Sequence, residues 1–441
     1  MPKYKVSIVR YEKPYQSVRK AILDCNGLAK MVPGARVFIK PNIVFWTRAC
    51  SFPKWGVVTT SRLVEDVVAV LKEHGIKDIT IGEGMVADPN DEETPLHAFR
   101  SLGYETLREK YGVKYVNIMK RPFRKIKLEG GISLSYNEDI LDSDFVVDLP
   151  VLKTHNQTVV SLGLKNLKGT IDITSRRKCH SSDKLKNLHS HIARLADPLP
   201  PILTIIDGIF SLERGPAFDG RMHRSNLLIA SGDLLSADMV GARILGYEPS
   251  FVEHLARAIG RVGRPNDLSD VEIKGEDVEE VSSYHQFDFP YYREQWGEMP
   301  EALARQGIKG LFYRKFDSTL CTYCSRLNGL ILTAIRQAWQ GQSWGGVEVL
   351  TGKAMEPEPG MKATVLIGEC MYRRNRNHPA IRKIFAARGC PPDPDGIVSA
   401  LNGAGIPVKA DLFSQIDTLP GFFMARYENR PEFDQSFFRI D

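Results

Sequence analysis

Long apolar runs are missing: no stretch of the 441 residues approaches the roughly 20 consecutive apolar residues that a membrane-spanning helix needs. The beginning, MPKYKVSIVRYEKP, has no apolar core of the signal-peptide kind, so the expected location is the cytoplasm. Cysteine is scarce and odd in number, seven in a chain that is neither small nor secreted. That argues against a disulfide framework and leaves reduced thiols or a metal site. Neither sign of charge dominates: 59 Lys and Arg against 53 Asp and Glu leave a net +6. So mild an excess fits an anionic small ligand or an acidic partner and gives little support to nucleic-acid binding. The chain has no G-x-S-x-G elbow, Walker loop or H-E-x-x-H helix, so the common hydrolase and nucleotidase classes lack support. The passage IGEGMVADPND has G-x-G after a strand-like run but not the third glycine of a dinucleotide fingerprint. No internal repeat or low-complexity stretch is evident.

What is present is alternation, in a chain long enough for two or three domains. KVSIVRY and ARVFIKPNIV read as strands, SVRKAILDCNGLAKMV and SRLVEDVVAVLKEHG as amphipathic helices, and DITIGEG as a further strand. DFVVDLPVLKTH, PILTIIDGIF and NLLIASGDLLSADMVGARILG continue the pattern. Alternation of this kind predicts an α/β domain with a largely parallel sheet, expected over residues 1–285. An aromatic, poorly periodic segment from about Gln286 to Asp317 leads to a second, smaller α/β module, expected over 286–441. In that module RLNGLILTAIRQAW, HPAIRKIFAARGC and DGIVSALNGAG read as helices, and VEVLTG and ATVLIGEC as strands. The tail GFFMARYENRPEFDQSFFRID has no period and is expected to pack across a surface.

Parallel sheets hold ligands at the carboxyl ends of their strands, so polar residues there are the ones to inspect. After DFVVDLPVL come Lys153 and His155, and further on Lys165, Asn166 and Lys168. If NQTVVSLGLKNLKG is helical, Lys165 and Lys168 share a face. With Lys153 they would form a pocket for a carboxylate or phosphate, and a desolvated lysine beside another cation can serve as a base. Lys40 and Asn42 end the run ARVFI and are candidate substrate-binding residues, together with Asn166. Asp207 ends PILTII and Glu213 follows, a pair that would orient substrate or bind a cation. The lysines after DFVVDLPVL are equally well explained as a solvated basic face, and Lys40, Asn42, Asp207 and Glu213 taken singly are better explained as capped turns; several complementary strand ends favour a shared cleft. Cys179, His180, His189 and His191 in CHSSDKLKNLHSH are possible metal ligands, but the serine-rich basic stretch reads as an exposed loop.

Four of the seven cysteines fall late. Cys321 and Cys324 form C-x-x-C before a helix, Cys370 ends ATVLIGEC, and Cys390 sits in RGCPPDP. Thiolates suit zinc or an iron–sulfur cluster. A second close pair of the zinc-ribbon kind is lacking, and one pair with two dispersed cysteines suits a four-iron cluster better. A set of buried thiols without metal stays open as well.

Two resemblances sharpen these readings. C-x-x-C, then Gly368-Glu369-Cys370, then Gly389-Cys390-Pro391-Pro392-Asp393-Pro394 resembles the cluster-binding small subunits of nickel–iron hydrogenases and of respiratory NADH:quinone oxidoreductases. The likeness covers about the last 130 residues. It implies a [4Fe–4S] cluster on Cys321, Cys324, Cys370 and Cys390 in a flavodoxin-like module. Tyr323 stands where hydrogenases usually have glycine, which would crowd the cluster. IKPNIV, IGEG, DFVVDLPVLKTH, LKNLKGTI, IIDGIFSLERGP and LLIASGDLLSADMVGARILG, spread over residues 35–247, resemble the family called domain of unknown function 362. Many of its members also carry an iron–sulfur module; the tandem C-x-x-C-x-x-C pattern is absent here. The combined expectation is an iron–sulfur oxidoreductase acting on a small anionic substrate, suited to anaerobic handling. An electron-transfer or adaptor protein docking a redox partner, or a non-redox enzyme with a structural cluster, are the alternatives.

Overall fold

The computed structural model describes residues 4–85, 91–295, 297–314 and 317–440. The chain divides into two compact units: Met1–Ser175, His189–Phe287 and Pro420–Asp441 form the first, Arg176–Leu188 and Asp288–Leu419 the second. The expected boundary at 285/286 falls beside the break at 287/288, but residues 176–188 and the tail belong elsewhere than expected.

The first unit is built on a ten-stranded, mostly parallel sheet. Across it run Val271–Gly275, Tyr4–Arg10, Arg221–Ser231, Ile202–Glu213, Phe145–Leu149, Val37–Pro41, Ile79–Glu83 and Lys114–Asn117. Arg221–Ser231 is antiparallel to both neighbours, whereas the strands from Ile202–Glu213 onward are parallel. Ile202–Glu213 is long enough for two partners, pairing first with Phe145–Leu149 and then, beyond Pro150, with Val151–His155. Lys153 is thereby carried past the carboxyl ends of the parallel strands.

The helix Ser61–Glu73 forms because Leu63, Val64, Val67, Val68, Val70 and Leu71 recur at helical spacing and are all buried. It stops where the sequence indicates, before Gly75 in the left-handed region. Two expected helices are shorter than their apolar patterns. SVRKAILDCNGLAKMV is helical only over Gln16–Asp24, since Asn26 has φ 55° and Gly27 passes so near Leu203 that a Cβ would stand 2.6 Å from its Cδ1. NQTVVSLGLKNLKG pairs first as the short strand Val159–Val160 and turns helical only at Gly163–Asn166, followed by a 3-10 turn over Leu167–Thr170.

The second unit has a parallel four-stranded sheet in the order Leu311–Tyr313, Val347–Leu350, Ala363–Ile367, Ile384–Ala387. The strands follow in chain order, whereas a flavodoxin sheet runs 2-1-3-4-5, so the flavodoxin-like expectation is not met in these strands. HPAIRKIFAARGC, expected as a helix, supplies the edge strand Ile384–Ala387, because its apolar residues pair alongside Ala363–Ile367. Thr322–Ala338 and Pro394–Gly403 are the helices that bury Leu330, Ile331, Ile335, Ile397 and Leu401 into the unit's core.

The tail does not lie across a surface. Tyr427, Phe433, Phe438 and Ile440 are buried in the same core as Trp55 and Phe210. Asp434 accepts from the Trp55 indole at 3.1 Å, and the Tyr427 hydroxyl accepts from the Met222 amide at 3.0 Å. Phe433, packed edge-on against Trp55 and Tyr427 at 5.3 and 4.7 Å, is central to this closure. Phe433→Ala is expected to destabilise the first unit by about 3–5 kcal/mol. Phe422→Ala, at a position 74% exposed, should stay within about 0.5 kcal/mol. Denaturant unfolding of the two variants against the parent checks both.

Candidate functional site: a buried strand-end centre and a group of four thiols

At the carboxyl ends of the parallel strands the polar side chains meet. Lys40 lies beside Asp148 in register, and Asp148 beside Thr204. Lys40 is wholly buried, and its ammonium donates to Glu83 at 2.8 Å and to the Pro41 carbonyl at 2.6 Å. Glu83, at the end of its own strand, also accepts from the amides of Ile43 and Gly84. Asn166 joins the group: its Oδ1 accepts from Asn42 Nδ2 at 2.9 Å, and its Nδ2 donates to Asp148 at 2.7 Å. Asn42 Oδ1 in turn accepts from Lys153 Nζ at 2.6 Å, and the Val57 carbonyl accepts from the same ammonium at 2.9 Å. One chain of hydrogen bonds therefore runs Asp148–Asn166–Asn42–Lys153.

Burial dominates the electrostatics. It drives Lys153 down to about 7, with Glu83 and Asp207 opposing and Lys40 reinforcing. Burial, then the charges of Lys168 and Lys153, push half-buried Lys165 well below the ordinary lysine range. Three of the expected lysines are thus electrostatically coupled. Asp207, raised to about 6 by burial, is held by the amide and hydroxyl of Thr60 and the amide of Ile209. Asp238, raised to about 7 by burial, accepts from the amides of Gly163 and Leu164. Asp148 rises well above the carboxylate range through burial, and Asp238 and Glu83 add to it; its Oδ2 has no partner among the described residues. Gly163 lets these two carboxyls approach, since a Cβ there would stand 2.9 Å from one and 3.0 Å from the other. Burial of a carboxyl so placed favours its protonated form.

Not every expected residue joins. His155 is buried, and its Nδ1 accepts from the Gln157 amide within a turn. Glu213 faces His223 at 3.2 Å while Asp207 faces Thr60, so the two carboxylates take separate partners. The stretch read as an exposed loop is exposed only at its middle: Cys179, His180, His189 and His191 are buried, the first two in the second unit and the others in the first. Among the described residues no three His, Cys, Asp or Glu side chains are arranged to hold a metal ion. Residues 86–90 of the G-x-G passage lie outside the described residues. Sequence reasoning did not nominate Glu83, Asp148 and Asp238, although IGEG and DFVVDLP set the first two at strand ends and SADMV sets the third in an apolar helix.

In the second unit, Cys321 caps the helix Thr322–Ala338, Cys324 lies in its first turn, and Cys370 lies in the first turn of Glu369–Asn375. The amides of Gly368 and Glu369 bond the carbonyls of Ala387 and Gly389, which ties the Cys370 segment to that of Cys390. Gly368 has φ 92°, and a Cβ on it would stand 3.5 Å from Cys324 Sγ. A hydrogen bond from Cys324 holds the Cys321 thiol low against burial, helped by the Cys324 amide, Lys353 and the Tyr323 amide. Cys324 is held high by that bond and by burial, with the charges of Cys321, Cys390 and Cys370 adding to it. Cys390 is raised by burial, against which Arg177 donates to its sulfur at 3.0 Å and Lys353 contributes. Cys324 therefore feels the charges of the other three thiols, and Cys390 those of Cys321 and Cys370. Tyr323, half-buried, lies in the field of Arg177, Cys321 and Cys390.

Linkage fixes the sign of one consequence. The folded pKa of Lys153 lies below its unfolded value, so between about pH 7 and 10.5 the unfolded chain binds the extra proton and stability rises with pH. Lys153→Met should remove a slope of up to about 1.4 kcal/mol per pH unit across that window, whatever its offset at a single pH. Urea unfolding of parent and variant at several pH values measures the difference; parallel curves would refute a neutralised lysine.

The chain is 25% identical, over 243 residues, to the thylakoid-associated protein sll1697 of Synechocystis sp. (strain ATCC 27184 / PCC 6803 / Kazusa). That match covers 54% of this chain and 72% of the relative. Among solved structures, the lactate racemase apoprotein from Thermoanaerobacterium thermosaccharolyticum aligns with a TM-score of 0.35 and 16% identity. It covers 55% of this chain and 57% of that one, and so weak a likeness carries no argument. The strand-end centre, from Lys40 to Asp238, lies wholly within residues 37–243, and this part of the chain matches the family described as domain of unknown function (DUF362).

Proposed function

We propose that the chain is an iron–sulfur redox protein. Cys321, Cys324, Cys370 and Cys390 would hold one [4Fe–4S] cluster, and the strand-end centre would bind a small anionic substrate. The observation that carries the reading is that three of the cysteines stand at two helix starts, while Glu369–Gly389 backbone bonding ties the Cys370 segment to Cys390, whose sulfur accepts from Arg177. Such a donor set suits a cluster that needs four thiolates. A single zinc would need its ligands about 2.3 Å from one point; a cubane, with its irons at separate corners, takes its thiolates further apart. Bound there, the cluster would supply one-electron transfer. Helix-start amides and neighbouring cations would favour the thiolate form of its ligands. The anaerobically purified protein should contain about four iron and four sulfide per chain. Cys390→Ala should lose or degrade the cluster, while Cys25→Ala, at a buried thiol of the other unit, should not. Iron and acid-labile sulfide assays decide this, and zinc in place of iron would sink the reading.

For the anion, Lys165 carries the argument. Its charge is suppressed by burial and by two other lysines, a repulsion that a bound carboxylate or phosphate would relieve. Lys165→Ala and Lys168→Ala should each weaken binding of inorganic phosphate, followed by calorimetry, about tenfold, or about 1.4 kcal/mol. The double variant should lose less than the sum if both lysines meet one anion. Additive, near-zero effects would mark two ordinary surface lysines.

A further inference from the structure

We propose that the face of the second unit beside Cys370 and Cys390 is a docking surface for an acidic protein that carries a one-electron redox centre. This rests on the cluster reading of the four cysteines and names the kind of partner that would serve it. Between Met371 and Cys390 the chain holds Arg373, Arg374, Arg376, Arg382, Lys383 and Arg388 and not one Asp or Glu. These six charges equal the net excess of the whole chain, +6, so the remainder is balanced. All six are exposed, as are Cys370 and Cys390 themselves.

The fold arranges them around the thiols. The helix Glu369–Asn375 holds Cys370 in its first turn, and at about 1.5 Å per residue Arg376, its C-cap, stands some 9 Å beyond Cys370. The edge strand Ile384–Ala387 runs into Arg388, Gly389 and Cys390. Arg373 and Arg388 both bind Glu369, the neighbour of Cys370, and Arg374 binds Glu356. Among the described residues Arg376, Arg382 and Lys383 make no ion pair; Arg376 lies near the Tyr372 ring and Lys383 over that of Phe385. Ile384, 38% exposed, adds an apolar point among them. Cations on an edge strand discourage strand pairing, which would account for Arg382 and Lys383 but not for those on the helix. Unpaired cations beside a redox centre instead attract and orient an acidic protein.

In the proposed step the reduced partner gives up one electron and the cluster gains it. No bond is made or broken and no proton moves.

The test uses the full anaerobic protein, with iron and sulfide measured first. An acidic [2Fe–2S] ferredoxin in its reduced form serves as partner probe, and hexaammineruthenium(III), which takes one electron from the pre-reduced cluster, as a cationic control. Stopped-flow reduction by the ferredoxin should be slowed about tenfold or more in the triple variant Arg376→Glu, Arg382→Glu, Lys383→Glu, and in the parent by added salt. The rate with hexaammineruthenium should hold or rise, and the iron content should not change. Equal ferredoxin rates in parent and variant, with the cluster intact, would overturn the docking surface while leaving the cluster standing. Absence of iron and sulfide from the parent would instead overturn the cluster and the proposal with it. Tighter binding of duplex DNA than of ferredoxin, abolished by the same three substitutions, would reassign the face to nucleic acid. Should the triple variant fail to fold, Arg382→Glu with Lys383→Glu alone, both on the exposed edge, must still slow the reaction.

Discussion

A buried ammonium needs a buried carboxylate, and the first unit is organised around one such pair, Lys40 with Glu83. Removing either partner from an ion pair of this kind typically costs about 3–5 kcal/mol, because the other charge is left without water or counter-ion. The pair does more than cancel charge. Glu83 also holds the amides of Ile43 and Gly84, and Lys40 holds the Pro41 carbonyl, so the chain's exits from two adjacent strands are fixed together. The turn that carries Lys168 closes directly over it: a Cβ on Gly169 would stand 2.7 Å from Lys40 Nζ and 2.8 Å from Glu83 Oε1. The positions of Asn166, Lys165 and Lys168 follow from that closure.

The groups around this pair differ from it in kind. Lys40 and Glu83 neutralise each other, whereas Lys153, Asp207 and Asp238 are brought by burial to about 7, 6 and 7, so their charge state changes near neutrality. Such tuning accompanies chemistry or anion binding more often than it accompanies mere stability. In the second unit the Cys321–Cys324 hydrogen bond moves those two thiols in opposite directions, and burial raises Cys390 against Arg177 and Lys353.

How far the sequence could be read depended on whether a feature was local. Alternation of apolar runs was enough to show an α/β chain with a largely parallel sheet, and strand-end logic brought Lys40, Asn42, Lys153 and Asn166 forward; they share one hydrogen-bonded group. The carboxylates completing that group escaped notice, since Glu83, Asp148 and Asp238 sit within apolar runs and matter only through partners 18 to 75 residues away. Helix lengths were overestimated where a residue such as Asn26 or Val159 takes a positive φ, a choice made by tertiary packing rather than by propensity. HPAIRKIFAARGC was misread for a related reason: a four-residue edge strand leaves too short a pattern to distinguish from a helix. Aperiodicity concealed the tail altogether, because Tyr427, Phe433 and Phe438 fill the core from irregular turns.

That tail makes the first unit discontinuous in a way that bears on how the chain is made. Its core needs residues 420–441, and these emerge from the ribosome only after all of residues 288–419. The usual order, in which the amino-terminal domain is finished first, is therefore reversed. The smaller unit can complete its own sheet while the larger one still exposes Trp55 and Phe210, so the nascent chain passes through a stage with an aromatic core that stays open until Tyr427, Phe433 and Phe438 arrive.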